Sequence, residues 1–483
     1  MHRSLLLGVL LLLPTFVLAK APARQASADL DGDGKPESLR LEVKDTTFVL
    51  NAGSARAEGR FDGPVQGLTV VDLAANEPHR EVLIQGQLAA GAPAYRLFRL
   101  EAGALQDLAL PPGKPTITGN GILLADVPLG FWERRDKYLY DAARPGFTEV
   151  PQPVYFVGKG FVPEQPLKLL VSRGGEAAVT EVPAKTPVVL LAFSPAKDAA
   201  RQDDSQGWYL VLTRQHLLGW VKREALGAAP RAQKKPDFEL TPPRSAYEWP
   251  KLDRYGFSGS VDINGDGRPE DVSVDLLPEG EEPSEPPAYE SDAPSCLRDS
   301  NAFEVKVGKH SLTDASGGCV PIEAAGVVDI DTRDRSKEIL VYGSGGGAEN
   351  DQIFLYRWTG KKLEPIAGLD LGVGFPGNGT AVYLRRWDVA RSVYEPGKNA
   401  LISVPQEWSY IGLNYTVQQS FPLLQAPDKD AATVANVRAG STVTLLASRV
   451  EQTYVQHTWL LFKSETGLLG WVLSSDELPV ISR

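Results

Sequence analysis

One unusual stretch occurs twice in this chain. ADLDGDGKPESLRLEV, from Ala28, sets aspartates at 29, 31 and 33 around two glycines and runs straight into a strand-like segment. SVDINGDGRPEDVSVDL, from Ser260, repeats the pattern more than two hundred residues later. A long-period repeat constrains a fold more than any local propensity, because both copies must solve the same packing problem. Further markers recur in the same order. VVDLAANEPHREVLIQG from Val70 matches VVDIDTRDRSKEILVYG from Val327, and YRLFRLEAG from Tyr95 matches IFLYRWTG from Ile353. GNG stands at Gly119 and Gly377, VPQPVYFVG at Val150 answers VPQEWSYIG at Val404, and LLGWV occurs at Leu217 and Leu468. The chain is therefore an internal duplication.

The duplication sets the boundaries. Residues 26–149 and 258–403 are the two copies of a β-rich region, each followed by a second β segment, 150–227 and 404–483. The proline-rich, polar stretch 228–257 reads as a linker. LPEGEEPSEPPAYESDAPS from Leu277 has no partner in the first copy and reads as an inserted loop. Runs such as SLRLEV, EVLIQG, AFEVKVG and EILVYG are short and bounded by turn residues, several of them alternating apolar with polar. No segment keeps a helical period through three turns, so the fold class is all-β.

The aspartate loops point to a metal. Asp29, Asp31 and Asp33 take positions 1, 3 and 5; Lys35 would offer its carbonyl at position 7, and Glu37 a carboxylate at position 9. The second loop offers Asp262, Asn264, Asp266, the carbonyl of Arg268 and Glu270. Calcium takes six to eight hard oxygens, which such a spacing supplies. Position 12 is Arg40 in one loop and Ser273 in the other, and strands follow, which excludes an EF-hand. An Asp/Gly turn that holds only water is the alternative. The later segments at Asp72 and Asp329 lack the spacing and are assigned no metal.

The loops resemble the FG-GAP/VCBS, integrin-type calcium loop found between the strands of β-propeller blades. That resemblance implies propeller-like antiparallel sheet units, about three per copy, with a bound Ca2+ stiffening the turn. The six units either close into one propeller or remain two partial ones. The segment closing the second copy resembles a bacterial SH3-like domain, through FPLLQAPD, VRAGSTVTLL, TWLLFKSETG and GLLGWV. The first copy matches more loosely, with Lys185-Thr186 where the second has Ala439-Gly440. The resemblance implies two small SH3-like barrels that bind cell-wall peptides or other short ligands through aromatic residues. The candidates are Tyr155, Tyr209 and Trp220 in one copy, and Tyr410, Tyr415, Trp459 and Trp471 in the other. Barrel core is the other reading of each ring.

The remaining features bear on location and partners. Residues 1–19 read as a signal peptide: Arg3 precedes a 15-residue apolar run ending at Ala19. A membrane span needs about 20 residues, so cleavage near Ala19 and a periplasmic or secreted product are expected. Cys296 and Cys319 are the two cysteines and form the expected disulfide of an oxidising compartment. A net charge of −11 with no basic stripe argues against nucleic acid. There is no nucleophile elbow, no His-Glu zinc motif and no Cys-His arrangement, so an enzyme is not expected. A carboxylate pair for glycoside hydrolysis depends on spatial distance, which sequence hides. The expected function is binding of peptidoglycan or another envelope ligand. An adaptor for envelope proteins is the alternative, and a cell-wall hydrolase the enzymatic one.

Overall fold

The computed structural model of the protein describes residues 22–196, 205–227, 240, 250–254, 256–277, 302–316, 320–344, 352–369, 373–385, 388–451 and 457–474. The signal segment, both cysteines, most of the linker and most of the acidic inserted loop lie outside them. The protein is all-β, and its strands form small antiparallel sheets. Two compact units divide the chain: Met1–Pro128 with Arg134–Pro151, and Leu129–Glu133 with Gln152–Arg483.

The first unit holds three four-stranded meanders, over 25–60, 67–108 and 114–150, each with its strands in sequence order. The pattern of the first follows from one-sided burial. In Glu37–Lys44, Leu39 and Leu41 are buried while Arg40 and Glu42 are exposed. Period-two alternation sends these side chains to opposite faces of the sheet. The buried face packs against the second meander in a core that includes Leu39, Leu50, Phe48, Val82, Ile84 and Phe98. The second meander buries its other face as well, through Leu73, Leu97 and Leu108.

The second unit repeats the scheme. Its meanders run over 257–315, 322–369 and 373–403, the middle one extended by the short edge strand Asp253–Arg254. Ile263, Val272, Phe303, Ile339 and Tyr356 form the core between the first two, matching the core of the first unit.

Two six-stranded sheets complete the second unit, over 155–222 and 409–474. Numbered in chain order, the strands are Tyr155–Phe161, Leu167–Leu170, Ala178–Val182, Val188–Ser194, Trp208–Leu212 and Leu218–Lys222 in one sheet, and Ser409–Thr416, Phe421–Leu424, Thr433–Val437, Thr442–Glu451, His457–Lys463 and Leu469–Ser474 in the other; both have the order 1-4-5-6-2-3, so the duplication extends to topology. Closed barrels were the expectation, and the sheets do not close: strands 1 and 3 are edges in both. Closure would need strand 1 to pair with strand 3, and the described residues show no such pairing; strands 2 and 6 are joined at a single residue pair, Leu170 with Trp220 and Leu424 with Trp471. Strand Val188–Ser194 is buried along its whole length. A strand covered on both faces needs apolar residues on both, which is why VVLLAF does not alternate.

Candidate metal loops and their arginine counterparts

Each of the first two meanders in each copy carries the same loop after its first strand. The loop begins with Asp followed by Leu or Ile: Asp29-Leu30, Asp72-Leu73, Asp262-Ile263 and Asp329-Ile330. The apolar residue is buried in all four. A buried N–H needs an acceptor, and a glutamate at the start of the next strand supplies it. Glu37 accepts from Leu30 at 2.7 Å, Glu81 from Leu73 at 3.1 Å, Glu270 from Ile263 at 3.1 Å and Glu338 from Ile330 at 2.9 Å. The carbonyls of these residues accept an N–H from the next meander: Arg80 to Leu30 at 3.1 Å, Gly121 to Leu73 at 2.7 Å, Lys337 to Ile263 at 2.9 Å and Gly379 to Ile330 at 2.8 Å. The loop is thus a joint between successive sheets, locked by one carboxylate.

In the first loop the aspartates face their own backbone. Asp29 accepts N–H bonds from Gly32 at 2.8 Å and Gly34 at 2.9 Å, and Asp33 accepts from Lys35 at 2.7 Å. Asp31 accepts from Asp33 at 3.2 Å. Gly32 has φ 78° and its absent Cβ would lie 2.3 Å from the Cβ of Pro78, so no larger residue fits. One carboxylate oxygen from each of Asp29, Asp31 and Glu37 lies within 4.8 Å of the others. Asp33 stands outside that cluster, exposed, with Lys35 3.9 Å from it.

The second loop keeps three of these four hydrogen bonds and lacks the counterpart of the Gly32 N–H to Asp29. Asp262 accepts from Gly267 at 2.9 Å, Asn264 from Asp266 at 2.9 Å and Asp266 from Arg268 at 2.8 Å. The other oxygen of Asp262, Oδ1, is buried and has no hydrogen-bond partner, and the same holds for Oδ1 of Asp72 and of Asp329 in the two later loops. The donors of both loops are oxygens alone, the set that suits a hard cation.

The loops at Asp72 and Asp329 differ in one respect that sequence reading missed: each has its own cation. Arg99 pairs directly across from Glu81, and Arg357 across from Glu338. Arg99 lies 3.8 Å from Glu81 and 3.2 Å from Glu77, and donates to the hydroxyl of Tyr140. Arg357 donates through Nε to Glu338 at 2.9 Å, reaches Asp334 at 3.0 Å and stacks 4.2 Å above the ring of Tyr394. Burial pushes Glu81 up to about 7, against the Leu73 N–H and Arg99, which hold it down. Burial likewise pushes Glu338 up to about 7, opposed chiefly by Arg357. The signal available in sequence was the glutamate eight or nine positions after each Asp-Leu/Ile pair, with an arginine one strand on.

The seven aromatic candidates are all core residues. Tyr155 and Tyr209 pack in one cluster, where the indole N–H of Trp132 donates to the Tyr209 hydroxyl at 2.9 Å. Trp220, Tyr410, Trp459 and Trp471 belong to a second cluster. The most open of the seven, Tyr155 and Tyr415, are 7% exposed. None presents the open ring face that a groove contact requires. Among the described residues no helix is long and apolar enough to cross a membrane. Compared with known proteins, the chain matches no family model and no curated sequence.

Proposed function

We propose that the protein is an exported, calcium-stabilised scaffold that binds a component of the cell envelope without transforming it. The observation that carries this reading is the contrast between loops of one design. Two contain an arginine that neutralises the locking glutamate. The other two show no such arginine among the described residues, and in the first of them Asp29, Asp31 and Glu37 each bring a carboxylate oxygen within 4.8 Å of the others. Asp29, Asp31, Asp33, the Lys35 carbonyl and Glu37 would hold one calcium ion. Asp262, Asn264, Asp266, the Arg268 carbonyl and Glu270 would hold the other. The ion supplies positive charge where clustered carboxylates would otherwise repel. The same loops support kinship with FG-GAP/VCBS propeller-like repeats, and the six-stranded sheets support a link to bacterial SH3-like modules. The apolar leader supports export.

Peptidoglycan and envelope proteins are the two ligand classes. Burial of the seven aromatics favours a protein partner, since the rings that would stack on a wall peptide are not exposed. Co-sedimentation of the mature protein with isolated sacculi, in calcium, separates the readings. Pelleting supports wall recognition. A folded protein left in the supernatant supports the adaptor reading. Release of soluble wall fragments overturns the non-enzymatic proposal.

A further inference from the structure

The two six-stranded sheets share one apolar core, and core residues that they contribute to it are duplicates of one another. Matching registers make Leu210 the counterpart of Leu461, Leu218 of Leu469 and Trp220 of Trp471. All six are 1–3% exposed and share one apolar cluster drawn from both sheets. Tyr209, Val211 and Val221, which alternate with them, face the other core. The contact is direct. The rings of Trp220 and Trp408 meet edge to face at 5.2 Å, and the N–H of Leu218 donates to Gln406 at 2.9 Å. The ammonium of Lys463 lies 4.5 Å from the ring centre of Phe156.

A patch that meets its own duplicate is the signature of a twofold, self-complementary interface, the commonest kind between identical subunits. We infer that this face of each six-stranded sheet is a docking surface whose partner is a second copy of the same module, so that the chain is a tethered dimer. The tether raises the effective concentration of the two halves but does not create the contact between them. This inference rests on the packing alone and is independent of calcium or of any envelope ligand.

The test uses the whole folded chain carrying a specific protease site between residues 228 and 239. After cutting under native conditions, the two halves are expected to co-elute in size exclusion at about 1 µM, as a pair with sub-micromolar Kd does. Leu461→Arg places a charge in the buried contact and is expected to weaken association of the cut halves at least 100-fold. Gln406→Ala, a milder change, is expected to weaken it about 5- to 10-fold, the equivalent of one hydrogen bond. Circular dichroism of each variant before cutting reports whether the fold is intact. Parent halves that separate at micromolar concentration would overturn the inference. So would Gln406→Ala halves, or folded Leu461→Arg halves, that stay together as tightly as the parent's.

Discussion

Glu338 and Glu37 perform the same local task, and removing them should have very different consequences. Glu338 is fully buried; it accepts the Ile330 N–H and carries the guanidinium of Arg357, whose side chain is 12% exposed. Glu338→Ala leaves the N–H without its acceptor, a loss of about 1–3 kcal/mol. It also leaves Arg357 buried with only Asp334 for an anion. Breaking a buried ion pair from one side costs about 3–5 kcal/mol. The two losses share one side chain and do not add, so about 3–5 kcal/mol is the whole effect. Glu37 accepts one N–H, is half-buried and has no arginine opposite it. Its removal, measured in chelator so that no metal contributes, should cost about 1 kcal/mol. Denaturant unfolding at pH 8, above the raised value of Glu338, reads the difference as midpoint shifts at unchanged slope. Glu338→Ala and Glu37→Ala falling within about 1 kcal/mol of each other would refute the reasoning. A double-mutant cycle with Arg357→Ala should return a coupling of about 2 kcal/mol or more, and a negligible coupling would remove the arginine from the account.

Stability should also depend on pH through the two raised glutamates. The ordinary value is 4.5 and burial lifts both to about 7, so their contribution is complete below pH 4.5 and is lost as pH rises through about 7, the unfolded chain ionising first. Relative to a Glu81→Gln/Glu338→Gln variant, the parent's melting temperature should fall between pH 4.5 and 7, and parallel profiles would contradict this. Gly32→Ala should destabilise by more than Gly34→Ala, because only at Gly32 does a Cβ meet a neighbour, the Pro78 ring. About 1 kcal/mol is expected at Gly34 from its left-handed backbone alone, and equal midpoints for the two would count against the close approach.

The architecture was legible wherever a repeat or a period wrote it into the chain. Six markers in register announced the duplication, and alternation in SLRLEV and AFEVKV announced strands with one buried face. The aspartate spacing led to a loop in which Asp29, Asp31 and Glu37 do converge. What sequence concealed was pairing across space. Arg99 and Arg357 became partners of Glu81 and Glu338 through sheet register, which sets each arginine directly across from its glutamate. The aromatic candidates were read from a resemblance that implied ligand contact, with barrel core as the other reading, and all seven rings are buried. The continuous apolar runs VVLLAF and WYLVL carried that information, since a half-exposed strand would have alternated. Barrel closure depended on whether strands 1 and 3 pair, which only the folded sheet decides.

The central claim is that two loops of this duplicated scaffold hold calcium as structural counter-charge. Thermal unfolding of the mature chain, in excess calcium and again after exhaustive chelation, tests it most directly. A ligand bound only by the folded state raises stability by about 2.7 kcal/mol at one hundred times its dissociation constant. The melting temperature is expected to fall on chelation, return with calcium, and lose its calcium dependence when Asp29→Asn and Asp262→Asn are combined. A melting temperature that is the same with and without calcium would contradict it.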